Sequence, residues 1–312
     1  MAGPLLGSHR LKKRRPFVPP VFTAAGANQS TMKWDGPVLD NHLHLGGNLD
    51  RALDAVNDFS GAGGTHMLVV NKPSWWYGVE VSERADFRHA YDTTVEVVET
   101  VSEQLPGRAW PILGVHPALL TRLVDERDMS VSRTTSLMQD GIDLAAEYVA
   151  DGRALAIKSG RPHYPLDDAL WEASNRVMRF AFERAGEVNC AVQLHTETGE
   201  DFEAIARWAE RAGLPRERVV KHYAGGRIVG PTPSVIAKKE ALTNAIAGNE
   251  PFLMETDFLD DPERPGAVLG PKTVPRRVKW FADQGHEDAI RRAHRETPRR
   301  VYGIELEDPA DA

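Results

Sequence analysis

Histidine, lysine and aspartate residues occur at or near the ends of apolar segments along this chain. One such segment ends in Asp40-Asn41-His42-Leu43-His44, where two histidines stand two positions apart. Side chains at that spacing on a β-strand project from the same face, so both imidazoles can reach one metal ion. Later apolar segments carry further ligand-type residues: Lys158, His195, His222 and Asp257. Imidazole and carboxylate ligands together predict a divalent metal site for Zn²⁺, Mn²⁺ or Mg²⁺.

The elements that must position these residues are short apolar runs separated by segments with helical spacing. The predicted strands span residues 38–45, 65–71, 110–117, 154–160, 190–197, 219–224, 227–232 and 252–258. The clearest predicted helices span residues 137–150, 166–187, 202–212, 235–247 and 274–295. Alternation of strands and helices favours a parallel sheet covered by helices.

Eight strand–helix units over this length favour an α/β fold consisting of a single (β/α)8 TIM barrel. The alternative, an open nucleotide-binding sheet, is less favoured because no glycine-rich dinucleotide or Walker phosphate loop follows a predicted strand. Side chains at the carboxyl ends of barrel strands point into the active-site mouth. The histidines, the lysine and the aspartate are therefore expected to meet there.

Composition restricts the class of protein further. The 312 residues include 38 basic and 45 acidic residues and a single cysteine, Cys190, which excludes a disulfide framework or a multi-cysteine zinc site. No apolar run approaches the roughly 20 residues that a membrane span needs. We therefore expect a cytoplasmic protein with no membrane partner.

Charge is distributed unevenly and suggests the domain organisation. Residues 1–34 contain six basic residues and no acidic one, which leaves 32 basic against 45 acidic residues in 35–312, a net charge of −13. We expect a basic, flexible extension over residues 1–34 and one barrel domain over residues 35–312. An acidic body of this kind offers no electrostatic footprint for tight binding of duplex DNA.

The order of the ligand-type residues resembles that of the metal-dependent amidohydrolase superfamily, and most closely the TatD-related hydrolases. Three local motifs carry the resemblance: Gly114-Val115-His116-Pro117, Lys221-His222-Tyr223 and Glu255-Thr256-Asp257. The segment from Thr297 to Gly303 is also similar to the end of TatD proteins. Together these motifs extend the resemblance from about Asp40 to Gly303.

The resemblance implies an enzyme, a hydrolase that binds two divalent metal ions. It implies that His42, His44 and Asp257 hold one metal ion, that His195 and His222 hold the other, and that Lys158 bridges them. Water activated by the metal would attack a phosphodiester, and Asp257 would accept the proton of that water. The best-known activity in this family is that of a deoxyribonuclease, so single-stranded nucleic acid is one implied substrate and a small molecule is the other.

Lys158 departs from the family pattern, because TatD proteins have a glutamate at the bridging position. An ammonium group cannot bind a cation. The phosphotriesterase and dihydroorotase branches carboxylate a lysine on the fourth strand, and a carbamate at Lys158 would provide the missing anionic bridge. The alternative is a site for one metal, with Lys158 acting as a cation near the substrate.

These considerations leave two other functions open. A carboxylated lysine favours a phosphotriesterase, lactonase or amide hydrolase in the same barrel. A barrel that binds metal but has lost catalysis is the remaining reading.

Three residues are candidates for contact with the substrate. His116 resembles a TatD histidine that lies near the substrate outside the metal shell. Arg161 and His163 follow Lys158 and would suit a phosphate or carboxylate, and packing of the loop is the alternative for both.

Overall fold

The computed structural model describes residues 34–261, 263 and 269–309. The predicted basic extension over residues 1–34 therefore lies outside the described residues except for Trp34, and the division at residue 35 stays a prediction. None of the helices within the described ranges is long and apolar enough to cross a membrane.

The described chain forms one parallel sheet in which successive strands are neighbours. The strands are β1 Leu39–His44, β2 His66–Val70, β3 Ala109–Gly114, β4 Ala156–Gly160, β5 Ala191–His195, β6 Val219–Ala224, β7 Thr232–Ile236, β8 Leu253–Glu255 and β9 Phe258–Leu259. Strands β1 to β8 follow chain order across the sheet, and β9 pairs with β1. This arrangement confirms the predicted α/β barrel.

The last strand of the barrel is interrupted and pairs with neighbours on both sides. β8 pairs with β7, β9 pairs with β1, and only Thr256 and Asp257 separate β8 from β9. The Asp40 carboxylate accepts hydrogen bonds from the backbone N–H and the hydroxyl of Thr256, at 3.1 and 2.6 Å. These contacts join the first and last strands at the level of the metal-ligand candidates.

Helices cover the outside of the sheet. They are α1 Leu49–Gly61, α2 Phe87–Ser102, α3 Leu119–Asp125, α4 Val131–Ala150, α5 Asp168–Glu187, α6 Glu203–Arg211, α7 Lys239–Ile246, α8 Thr273–Ala282, α9 Glu287–Arg291 and α10 Thr297–Tyr302, with a π-helical turn at Arg292–Glu296. Alanine and branched apolar side chains from alternate strand positions fill the barrel interior, including Leu68, Ile112, Ala156, Val220 and Leu253.

Three of the sequence predictions for the second half of the chain differ from the structure. The seventh strand lies at Thr232–Ile236 rather than at 227–232, and the following helix begins at Lys239 rather than at residue 235. Gly226 and Gly230 have positive φ angles, which favours an irregular crossover at the positions predicted as a strand. The helix predicted over 274–295 breaks at Gly285, which also has a positive φ.

Candidate metal centre

A β-bulge in the first strand brings His42 into the barrel. Asp40 pairs with Met67 and Leu43 with Val69, so β1 has one residue more than β2 over this stretch. Asn41 and His42 both direct their side chains to interior partners, Ser234 and Gln193 respectively. A bulge of this kind re-aims side chains next to functional sites.

His42, His44 and Asp257 form the first group of ligand atoms. The Asp257 Oδ1 atom lies 3.8 Å from His42 Nε2 and 3.6 Å from His44 Nε2. The Nδ1 atom of His42 lies 2.6 Å from Gln193 Oε1, and that of His44 lies 2.8 Å from the Val70 carbonyl oxygen. Both oxygens accept the Nδ1 proton, which leaves the Nε2 lone pair of each histidine free to bind a cation.

His195 and His222 form the second group. The Nδ1 atom of His195 lies 3.0 Å from His222 Nε2, and the His222 Nδ1 atom lies 3.2 Å from Glu255 Oε1. On its other side, the His195 Nε2 atom lies 2.9 Å from His163 Nδ1. The facing nitrogens of His195 and His222 are therefore free of other acceptors and suit a shared cation.

The first group has the composition and spacing that a divalent ion requires. Zinc–nitrogen and zinc–oxygen bonds of about 2.0–2.1 Å place neighbouring tetrahedral ligand atoms roughly 3.4 Å apart. The ligand atoms of His42, His44 and Asp257 all lie within 4.8 Å of one another. Burial lowers the pKa of His42 well below its ordinary value and that of His44 to about 3, so both imidazoles are neutral, as ligation requires.

Lys158 projects into the barrel beside the first group. Its side chain is 3% exposed, and its Nζ atom lies 3.2 Å from His42 Nε2. Burial lowers the pKa of Lys158 to about 8, against the opposing influence of the Asp257 and Glu255 charges. Burial lowers the pKa of His195 and of His222 in the second group, and the positive charge of Lys158 adds to this lowering.

Asp257 has a strained backbone conformation. Its φ angle is +51°, in the left-handed region that a non-glycine residue rarely adopts. Burial raises the pKa of Asp257 to about 6, and the charge of Lys158 opposes that rise. A carboxylate with this pKa exchanges a proton near neutral pH.

Glu255 is a site residue that sequence analysis did not select. Its buried carboxylate accepts hydrogen bonds from the Ser234 hydroxyl and, at 2.6 Å, from the Tyr223 backbone N–H, and it contacts His222. Burial raises the pKa of Glu255 well above its ordinary value. These contacts suit Glu255 to orient His222, and its carboxylate also lies with the ligand atoms of His42 and His222 in another group of candidate metal ligands. The spacing Glu-x-Asp, which places both carboxylates on one strand face, was the signal that could have identified it.

This chain is similar in sequence to a known protein family over most of its length. The profile of the family described as TatD related DNase matches residues 39–303. The chain belongs to this family. A protein described as uncharacterized from Methanocaldococcus jannaschii is 33% identical over 283 residues, which cover 87% of this chain and 97% of the relative. The TatD-related family supports the expected class of metal-dependent hydrolase.

Solved structures of similar fold come from phosphotriesterase-like proteins. An organophosphorus hydrolase from Deinococcus radiodurans is 13% identical, with a TM-score of 0.58 over 85% of this chain and 92% of its own. A lactonase from Listeria monocytogenes is also 13% identical, with a TM-score of 0.54 over 86% and 95%. At this identity the likeness establishes that the TatD-related chain shares their fold.

The substrate-contact candidates of the TatD-related chain lie on one side of the mouth. The His116 and His195 ring centroids are 5.0 Å apart, and His116 Nδ1 accepts a hydrogen bond from the Ala118 N–H at 3.2 Å. The His116 proton is therefore on Nε2, where it can be donated to a substrate oxygen. His163 is exposed beside His195.

Arg161 is engaged by other residues of the protein. Its guanidinium donates to both carboxylate oxygens of Glu197 and, at 2.9 Å, to Asn175 Oδ1, and it lies over the Trp171 ring. Only 7% of Arg161 is exposed. These contacts support the packing alternative for Arg161, and its contact with substrate stays a prediction.

Proposed function

We propose that this chain is a divalent-metal-dependent hydrolase with two metal positions bridged by carboxylated Lys158, and that it acts on small esters. The observation that carries the proposal is the burial of Lys158 in the barrel mouth, where the family has a glutamate and where its Nζ atom lies 3.2 Å from His42 Nε2. A cation in that position would repel a metal ion held by His42. Conversion of the lysine into an anion removes this conflict.

Carboxylation requires only carbon dioxide as a co-reactant. The lone pair of the neutral Lys158 amine attacks the carbon of CO₂, the N–C bond forms, and one amine proton leaves to solvent. The product carries one negative charge shared by two oxygens, as a glutamate does. Burial favours the neutral amine that this step needs, and the lowered pKa of Lys158 is consistent with it.

The roles of the remaining residues follow from their geometry. A bound divalent metal supplies Lewis-acid activation of water and of the substrate oxygen. In this proposal Asp257, beside His44, accepts the proton of the attacking water, and His116, whose Nδ1 accepts from Ala118, donates Nε2–H to an oxygen of the substrate. Glu255 and Gln193 hold His222 and His42 in their ligating orientations.

The charges around the mouth favour a small ester over a polyanion. Lys72 is paired with Asp260, and Arg161 is paired with Glu197. Neutralised cations offer little attraction to a chain of phosphates. Neutral esters such as lactones and phosphotriesters are therefore the first substrates of the proposal.

A phosphodiester in single-stranded nucleic acid is the second candidate. The description of the family as DNases favours it. The two candidates differ in a simple assay, in which metal-loaded protein is tested on lactones, phosphotriesters and single-stranded DNA. Hydrolysis of the esters alone supports the first candidate, cleavage of DNA alone supports the second, and bound metal without any turnover supports a catalytically silent barrel.

Lys158→Ala tests the bridging role directly. We expect loss of at least one equivalent of bound metal, with partial recovery of activity on addition of a short carboxylic acid that can occupy the space of the carbamate. Lys279→Ala, which removes an exposed lysine paired with Asp283, is the control. Full metal content and activity in Lys158→Ala would exclude Lys158 as a bridge.

A further inference from the structure

A continuous chain of buried and partly buried hydrogen bonds runs between the two groups of metal-ligand candidates. It is formed by Gln193, Tyr302, Asn41, Ser234 and Glu255, and we refer to these five residues as the Tyr302 network. Gln193 contacts His42 at one end, and Glu255 contacts His222 at the other. The network thus connects one ligand histidine of each group.

The direction of every hydrogen bond at the Gln193 end is fixed. The Gln193 Nε2 group donates to the Asn41 carbonyl oxygen and to the Tyr302 hydroxyl, both at 2.9 Å. A backbone carbonyl only accepts, so the amide nitrogen must face it. Both amide protons are then used, and the Oε1 atom is left to accept from His42 Nδ1.

The orientation of Gln193 decides the tautomer of His42. With Oε1 at 2.6 Å, His42 carries its proton on Nδ1 and presents a free lone pair on Nε2. A reversed amide would instead donate to Nδ1 and leave the proton on Nε2. An imidazole in that state cannot bind a metal through Nε2.

Tyr302 and Asn41 also fix which atoms donate and which accept at the other end of the network. The Tyr302 hydroxyl accepts from Gln193 and donates to Asn41 Oδ1 at 2.9 Å, which leaves the Asn41 amide nitrogen to donate to Ser234 Oγ at 2.9 Å. Ser234 then donates to Glu255 Oε2. The other oxygen of Glu255 accepts from His222 Nδ1, so the His222 Nε2 lone pair is also free to bind metal.

We propose that Tyr302 is a positioning residue that links Gln193 to Asn41 and, together with the Asn41 carbonyl and Glu255, holds the network in the orientation that favours the ligating tautomers of His42 and His222. The inference rests on the ligand set of the proposed function. Tyr302 is the last residue of α10, and its ring packs against the apolar interior of the barrel. The C-terminal segment therefore positions the hydroxyl between Gln193 and Asn41. Residue 302 touches neither metal position and acts through Gln193 and Asn41.

Tyr302→Phe removes the hydroxyl and keeps the ring. We expect the affinity for the first Zn²⁺ or Co²⁺ to fall about tenfold or more, as is typical when a residue that orients a ligand is lost. We also expect the visible spectrum of the Co²⁺-loaded protein to change, because the ligand geometry changes. Affinity is measured by competition with a chromophoric chelator on the full chain.

Tyr91→Phe is the matched control. Tyr91 is fully buried and donates to the Gly141 carbonyl oxygen at 3.0 Å in the helical layer. A purely structural hydroxyl at 302 would behave as Tyr91 does, with lower thermal stability and unchanged metal affinity and Co²⁺ spectrum. That result for Tyr302→Phe would overturn the inference.

Ser234→Ala provides a second variant at the other end of the network. It should also weaken metal binding, through Glu255 and His222. The double variant with Tyr302→Phe should lose less than the product of the two single effects, because both act through Asn41. Effects that multiply independently would contradict the coupling between the two ends.

Measuring divalent-metal binding by the wild-type protein distinguishes failure of this inference from failure of the proposed function. Wild-type protein that binds no divalent metal would refute the ligand set itself. Wild-type protein that binds metal, together with both variants binding it with unchanged affinity, would refute only the role of Tyr302.

Discussion

At the scale of single residues, the candidate metal centre depends on which nitrogen of each histidine carries the proton. Gln193, the Val70 carbonyl and Glu255 each accept an N–H from a ligand histidine and free the opposite nitrogen. That the candidate ligands lie close together could be predicted from sequence, because strand ends meet at one edge of a barrel. Their partners could not, since Tyr302 and Asn41 meet across 261 positions of the chain.

Asp257→Asn tests the proton acceptor of the proposed reaction. The amide keeps the size of the side chain and cannot take up a proton, so we expect kcat to fall by about 10²–10⁴-fold with the fold unchanged. Activity is measured on the best substrate of the ester and DNA panel, and folding by circular dichroism. Asp283→Asn, at an exposed site, is the control. Wild-type kcat in Asp257→Asn would remove this residue from the reaction.

At the scale of elements, irregularities in the strands place the site residues. One bulge in β1 turns His42 inward, and the register between β6 and β7 also shifts between Lys221 and Ala224, around His222. Alternating hydrophobicity predicts that a strand exists, and an added residue within it leaves no such signal. The sequence therefore predicted most strands and misplaced the seventh, where Gly226 and Gly230 make the crossover irregular.

Gly160→Ala tests how closely β4 and β5 must approach. Gly160 has a φ of +140°, and a Cβ atom there would lie 1.9 Å from the His195 carbonyl oxygen. We expect a loss of more than about 1 kcal/mol in the free energy of unfolding, together with weaker metal binding because His195 moves. Urea denaturation measures the first effect.

Gly61→Ala is the matched control for that substitution. A Cβ atom at Gly61, in the last turn of α1, meets no atom within 4 Å. This variant should be as stable as the wild type or slightly more stable. Equal stabilities for Gly160→Ala and Gly61→Ala would contradict the packing described for β4 and β5.

At the scale of the whole molecule, the C-terminal segment completes the barrel. His294, in the π-helical turn, is fully buried, and its Nδ1 atom accepts a hydrogen bond from the N–H of Leu39 at 3.0 Å. Val301 and Leu306 add to the apolar interior below the site. The similarity of residues 297–303 to the end of TatD proteins predicted that this segment belongs with the rest of the barrel. Its contacts with β1 required the three-dimensional structure.

Burial of His294 predicts a specific dependence of stability on pH. Burial lowers its pKa to about 3 in the folded protein, whereas an unfolded histidine titrates at about 6.5. Between these values only the unfolded chain binds the proton, so stability falls as pH drops below 6.5 and is unaffected above it. The decrease is about 1.4 kcal/mol per pH unit, or about 2 kcal/mol at pH 5.

His294→Asn keeps an acceptor for Leu39 and removes the titration. In the presence of chelator, urea denaturation at pH 7.5 and pH 5 should show a drop in stability that is about 2 kcal/mol smaller in the variant than in the wild type. His89→Asn, at an exposed position, should retain the wild-type drop. Identical drops in His294→Asn and the wild type would show that His294 is not the buried neutral residue described.

The measurement that tests the central claim most directly is a crystal structure of the protein loaded with divalent metal and grown with bicarbonate. Lys158 is the residue on which the proposed two-metal mechanism depends, and its Nζ atom lies 3.2 Å from His42 Nε2. We predict continuous density for a carboxyl group beyond Nζ, with its two oxygens bound to two metal ions. An unmodified lysine beside a single metal ion would contradict the account and identify Lys158 as a cation that binds substrate.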